Sequence, residues 1–488
     1  MKLSGWIPIS APLSWHHPAS SPRSRAPYPL LALAAFVCIL AGCQPQNQAP
    51  NQAAAEGVRD PGVRGGAPAA GDPLPGLTGD ERAFFDDGLA RFLETDAVTD
   101  GLGPRFNANQ CVACHIQPTT GGSSPAKNPL FSIAVLDSAK NLVPWFIAPD
   151  GPIREARFKL NPDGTPDGGV HAIFVITGRT DAGGCTLSQP EFAPAGDPHT
   201  GQGGNPNVIF RIPTPVFGAG LIEAIPDAEI LANIKAHDAE NRAFGVSGHP
   251  NAHISGAANF NGNDGTITRF GWKAQNKSLL LFAAEAYNVE MGVTNPLFPQ
   301  ERDESAGCAL NTTPEDNNHF GDSAGTATLS DIEAFAVFMR LLAPPAPGPE
   351  TPETARGKGL FSSAGCASCH TPSMVTGPRI SSGGSRKTSA ALSGVTVNLY
   401  SDLLVHHMGK GLADGITQGA AGPDEFRTAP LWGVGQRIFF LHDGRTTDMV
   451  AAIEAHRSEG SEANQVIERF NRLSGPEQQA IVDFLRSL

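Results

Sequence analysis

The chain has 488 residues, a formal net charge of −13 at pH 7, 55 glycines, 42 prolines and only 17% charged residues. That acidic balance, with a pI near 5.5, argues against nucleic acid and against an anionic lipid surface as partners. So much glycine and proline with so little charge indicates much loop and short helix rather than long amphipathic helices.

In chain order, residues 30–40 (LLALAAFVCIL) come first, an apolar run of eleven residues preceded by Arg23 and Arg25. It is too short to span a bilayer and suits the core of a signal peptide. The run leads into Leu40-Ala41-Gly42-Cys43, which resembles a bacterial lipobox. Residues 1–42 are therefore expected to be removed and Cys43 to carry lipid; an ordinary signal peptide with a chance cysteine is the alternative. Gln44 rather than aspartate follows, so nothing signals inner-membrane retention, and the periplasmic side of the outer membrane is the expected location. Residues 43–76 are rich in Pro, Gly, Gln and Ala and read as a flexible tether.

Beyond the tether, Thr78 and Glu81 make a capping box, and Phe84, Phe85, Leu89, Phe92 and Leu93 follow at helical spacing. That helix precedes Cys111-Val112-Ala113-Cys114-His115. Further on, Gly357-Lys358-Gly359-Leu360-Phe361 plays the same part before Cys366-Ala367-Ser368-Cys369-His370. Cys-x-x-Cys-His is the attachment pattern of c-type haem: each cysteine adds to a vinyl group and the histidine ligates the iron. Zinc would need a second Cys/His pair, and none lies within about 50 residues of either motif. A thioredoxin-like pair would follow a strand and needs no histidine. Two covalently bound haem c groups are expected.

The motifs sit in two copies of one plan. Pro215-Val216-Phe217-Gly218-Ala219-Gly220 is echoed by Pro430-Leu431-Trp432-Gly433-Val434-Gly435, and each half closes with a Ser-x-x-Glu-capped apolar helix, from Ser330 and from Ser474. The proline-rich residues 343–349 mark a boundary. The expected organisation is two cytochrome c-like modules in tandem, an N-terminal haem domain over 77–345 with loop-rich insertions and a C-terminal one over 346–488. Of eight cysteines, Cys38 falls in the signal, Cys43 is the anchor and four bind haem. Cys185 and Cys308 remain, a plausible disulfide in an oxidising compartment, with two buried thiols the alternative. Asn259-Phe260-Asn261-Gly262-Asn263-Asp264-Gly265 is oxygen-rich, but Asp264 stands where an EF-type loop wants glycine, so calcium has no support from the sequence.

Residues 399–409 (LYSDLLVHHMG), 425–435 (EFRTAPLWGVG), 441–445 (LHDGR), 220–226 (GLIEAIP) and 269–273 (RFGWK) resemble the di-haem oxidoreductase family. The resemblance runs from about residue 78 to the C-terminus, and that family is similar to bacterial di-haem cytochrome c peroxidases. It implies one catalytic haem and a second that relays electrons through a tryptophan, here Trp272. In the second half His442 stands where Trp272 stands in the first. Relatives carry the distal ligand fourteen residues after that histidine, which is His456 here; Met408 is its rival. Fourteen residues after Trp272 is Ala286, so the first haem is expected to be open. An alternative pairing of residues 229–237 with 448–456 would make His237 a ligand and close it; His171 and His253 are weaker candidates. Met339 and Met449 read as core. The resemblance also implies an acid–base glutamate, matched by Glu290, with Glu223 as second choice. It further implies a glutamine ten residues after the tryptophan, and this chain departs from that with Phe282.

The expectation is thus an exported, lipid-anchored di-haem oxidoreductase. The haem at His370 takes electrons from a small redox protein or quinol-linked donor, and the haem at His115 reduces peroxide, activates oxygen or oxidises another substrate. A non-catalytic carrier with both irons six-coordinate is the alternative.

Overall fold

A computed structural model describes residues 57–134, 146–160, 163–165, 185, 207–252, 266–301, 308–321, 323–379 and 388–488. The expected signal peptide, Cys43, His171, His253 and the 259–265 loop lie outside the described residues. The described chain is mainly α. Its helices are α1 (Gly79–Phe92), α2 (Cys111–Cys114), α3 (Pro129–Ala134), α4 (Ala219–Glu223), α5 (Asp227–Phe244) and α6 (Leu279–Met291). There follow α7 (Asp331–Leu341), α8 (Pro352–Ala364), α9 (Met449–Glu454), α10 (Asn464–Arg472) and α11 (Gly475–Ser487). Three two-stranded antiparallel pairs complete it: β1 (Glu155–Phe158) with β2 (Val208–Arg211), β3 (Met374–Val375) with β4 (Thr396–Val397), and β5 (Val405–His407) with β6 (Glu425–Arg427).

Local chemistry starts these helices where the sequence says. The Thr78 hydroxyl accepts from Glu81 N at 3.2 Å while the Glu81 carboxylate accepts from Thr78 N at 2.8 Å. Ser330 with Glu333 and Ser474 with Glu477 make the same reciprocal box on α7 and α11. Helix α9 begins only at Met449. Thr446 is spent closing a turn onto Phe440, whose N donates to Thr446 O at 2.9 Å, and Asp448 becomes the cap.

The two largest helix–helix contacts among the described residues are α1 on α7 and α8 on α11. They are built alike. A side chain on Gly88 would strike the Ala334 carbonyl and Phe338, and one on Gly357 would strike the Ala480 carbonyl and Phe484. Glycine is what lets each pair of backbones touch. One turn later, Phe92 packs on Phe338 with centroids 4.8 Å apart and lies 6.1 Å from the His115 ring. Phe361 repeats this with Phe484 at 5.5 Å and His370 at 6.2 Å.

Residues 57–76 correct the expectation of a flexible tether. They bind along the ends of α7 and α11. Leu74 N donates to Leu341 O at 2.7 Å, Arg64 N to Gly435 O at 2.8 Å, and Leu74 is buried. Asp60 takes the Arg486 Nε at 2.7 Å, an ion pair with both side chains 5% exposed. Composition missed this strap because its partners are backbone groups and one arginine distant in sequence, not an apolar pattern of its own. Residues 55–488 form one compact unit, in which α5 packs beside residues 366–368 of the second motif. Cys185 and Cys308 are disulfide-bonded.

Gly357→Ala is expected to destabilise the fold by about 1–3 kcal/mol by forcing α8 off α11. Urea denaturation followed by circular dichroism measures it, and an unchanged midpoint would remove the glycine contact from the account.

Candidate functional site

Each motif opens onto a cavity. The first is lined by Cys111, Cys114 and His115, the second by Cys366, Cys369 and His370. None of these four cysteines is in a disulfide. His115 Nδ1 lies 3.1 Å from Gly122 O, and His370 Nδ1 lies 2.9 Å from Tyr400 O. A carbonyl only accepts, so each Nδ1 donates, which leaves Nε2 as the free lone pair, as in metal-ligating histidines. Burial holds both rings neutral: it lowers the His115 pKa and brings that of His370 down to about 4, with the charge of nearby His456 acting in the same direction. A cysteine pair and a neutral, oriented imidazole on the wall of one cavity fit a haem at each motif.

The walls opposite differ. The second cavity is also lined by Met408, Met449, His442 and His456. His456 repeats the proximal arrangement: Nδ1 meets Ala452 O at 2.7 Å, Nε2 is left over, and burial lowers its pKa. His406 also borders this cavity, but Asp402 at 2.9 Å and Glu462 at 2.8 Å occupy both its ring nitrogens.

Among the described residues, the first cavity has no histidine on its wall besides His115. Met339 borders it from α7, at the place Leu485 takes on α11, and Met291 Sδ lies 4.0 Å from Cys111 Sγ. Ala286 and Phe282 of α6 face it, with Phe282 stacked on Phe270 at 6.1 Å. Its polar wall is Glu290, at the end of α6, with Glu155 and Arg157 from β1. Arg157 Nη2 lies 2.6 Å from Glu155 and 4.0 Å from Glu290. Burial, then the neighbouring Glu155 charge, raise the Glu290 pKa well above the usual carboxylate range, and a hydrogen bond to Glu155 favours its protonated form.

Sequence reasoning singled out Glu290 but missed Glu155 and Arg157. Alternation along β1 puts these two on one face, the only sequence signal available. Glu223 lines neither cavity. Its carboxylate takes Arg340 Nε at 2.6 Å and Leu279 N at 2.8 Å, tying the start of α6 to α7. His237 also lines neither; it sits on α5 with Nδ1 3.0 Å from Asn233 O.

Trp272 is buried and borders both cavities. Its Nε1 donates to Ile212 O at 2.9 Å, and its ring meets His442 edge-on at 6.4 Å. His442 in turn stacks on Phe426 at 4.3 Å. The next residue, Lys273, is fully buried, donating to Glu425 O at 2.8 Å and Gly422 O at 2.9 Å and lying 3.1 Å from Asp414. These bonds fix the backbone that carries the indole.

Two solved structures show limited similarity. A Kuenenia stuttgartiensis hydrazine synthase is 18% identical with a TM-score of 0.21 over 34% of this chain, which spans 56% of the synthase chain. A diheme peroxidase from Burkholderia thailandensis is 14% identical with a TM-score of 0.26, over 49% of this chain and 75% of its own. No curated protein matches the chain. The profile of the family described as "Di-haem oxidoreductase, putative peroxidase" matches residues 205–488, which hold Trp272, Glu290 and the second motif. With more than half of its length matched, the chain belongs to the di-haem oxidoreductase family.

Proposed function

We propose that the chain is a peroxidase-like di-haem c-type oxidoreductase of two tandem cytochrome c-like modules, with an electron-relay haem at His370 and a reactive haem at His115. The observation that carries this reading is the inequality of the two cavities. A second buried imidazole with a free Nε2, His456, borders one; a carboxyl pair with an arginine borders the other.

Cys111 and Cys114, and likewise Cys366 and Cys369, would hold the macrocycles as thioethers, and His115 and His370 would ligate the irons. His456 would be the second ligand of the C-terminal iron, in preference to Met408, because the Ala452 carbonyl already fixes its tautomer and direction. A haem with one open position supplies the binding and reduction of a peroxide or the activation of oxygen. Splitting a peroxide needs a group that takes a proton from the near oxygen and returns it to the far one. Glu290 suits that task, since burial and the neighbouring Glu155 charge favour its protonated form and give it a proton to deliver. Arg157 keeps Glu155 in place and limits the charge left when the proton departs. Trp272 couples the two centres. Phe282, apolar where relatives place a glutamine, leaves the proton work to the carboxyl pair. Export with lipid on Cys43 places the enzyme on the periplasmic face of the outer membrane, where a small redox protein or quinol-linked donor supplies electrons; the apolar run and lipobox of the N-terminus support this.

The ferric spectrum is expected to contain one high-spin component that binds cyanide and one low-spin component that does not. Two inert low-spin haems would mean a carrier instead. His456→Ala is expected to make the second haem bind cyanide while Met408→Leu leaves it closed; the reverse result moves the ligand to Met408. Glu290→Gln should lower peroxide turnover by about 10²–10⁴-fold with both haems retained, read by stopped-flow with haem content measured in parallel.

A further inference from the structure

Two arginines, Arg437 buried and Arg427 half-buried, border the second cavity without a carboxylate partner. Arg437 follows the turn at Gly433 and is 8% exposed, and its Nε and Nη2 find no hydrogen-bond partner. Arg427 lies on β6, where its Nε donates to the Gly271 carbonyl at 3.0 Å. Burial pushes both guanidinium pKa values down to about 10, the charge of Arg437 adds to the effect on Arg427, and no carboxylate offsets either.

Other buried arginines of this fold are paired. Arg211 meets Asp414 at 2.9 Å, Arg486 meets Asp60 at 2.7 Å, and Arg157 meets Glu155 at 2.6 Å. Burying a guanidinium without an anion is costly, and placing a second beside it adds repulsion. The pair is also poorly suited to a packing role. Both residues line the second cavity, and both line a smaller one beside Trp272. Arg437 reaches over the Trp272 ring at 6.0 Å, which offsets only part of its lost solvation.

A planar fork of N–H donors fits a carboxylate better than any other common anion-binding group, and it keeps its charge when buried. The anionic groups of a haem are its two propionate carboxylates. Glu462 also borders the cavity, but it is engaged by His406 and by Ser247 N at 2.9 Å, so it does not serve the arginines. We infer that Arg427 and Arg437 receive the propionate carboxylates of the haem attached at Cys366 and Cys369. This rests on the reading of that cavity as a haem site. The pairing neutralises one buried and one half-buried cation and anchors the relay haem beside Trp272. It makes the arginines positioning residues for the relay haem, and their charge favours its ferrous state.

The test is a spectroelectrochemical titration of both haems in the holoprotein, carried out on Arg427→Gln, Arg437→Gln and the charge-retaining Arg437→Lys. Each glutamine variant is expected to lower the midpoint potential of the low-spin C-terminal haem and to leave the N-terminal haem unmoved. The lysine variant is expected to fall between wild type and Arg437→Gln, a rescue that a packing role would not give. An unmoved C-terminal potential in both glutamine variants overturns the assignment, as does a shift confined to the N-terminal haem, which would give the arginines to the other macrocycle. If a glutamine variant sheds the C-terminal haem, the lysine variant decides: a wild-type-like or lowered potential with haem retained supports the pairing, and loss of haem there too overturns it. Peptide mass analysis of the wild type keeps the two readings apart, since a second motif without haem refutes the site itself and a haem with unmoved potential refutes only the arginine pairing.

Discussion

Where α1 crosses α7, the backbone of Gly88 lies against the Ala334 carbonyl, and where α8 crosses α11, Gly357 lies against that of Ala480. Helices that approach this closely bring their next turns into register. Phe92 and Phe361 then fall between the closing helix of each half and the motif histidine. Everything on the cavity side is measured from that contact, because it sets the distance between the motif and the wall it faces. The strap of residues 57–76 makes the crossing harder to open: it hydrogen-bonds to the end of α7 through Leu74 and pairs Asp60 with Arg486 of α11.

On these two like frames the chain builds unlike sites, and the difference is electrostatic. Around the second motif the surplus side chains are a neutral imidazole, a thioether and two guanidiniums. Around the first they are the Glu290 and Glu155 carboxyls with Arg157 and Arg211. An imidazole whose Nδ1 is fixed offers one lone pair in one direction; a buried carboxyl whose pKa is raised offers a proton. One wall suits holding an iron shut, and the other suits chemistry on what an iron binds.

Between them, Trp272 depends on buried polar groups rather than on apolar packing alone. Lys273, Asp414 and Arg211 form a compensated cluster behind it, and Arg427 N donates to the Trp272 carbonyl at 2.8 Å. Such a cluster is costly to assemble but tolerates few alternative arrangements. A residue that must border two cavities at once gains from that uniqueness.

The sequence by itself determined what is local. The two Cys-x-x-Cys-His motifs, the three capping boxes and the repeated order of parts are written in residues a few positions apart, where covalent chemistry and helix termini act directly. The family resemblance added Trp272, His456 and Glu290, and all three border a cavity. Tertiary structure alone decided what depends on distant partners. It brought Glu155 and Arg157 from β1 to Glu290, turned Glu223 away to Arg340, folded residues 57–76 onto both halves and left Arg437 buried without an anion. A carboxylate or an arginine carries no sequence mark of its eventual partner, because its pKa and its role are set by burial and by charges that only the folded chain brings within reach.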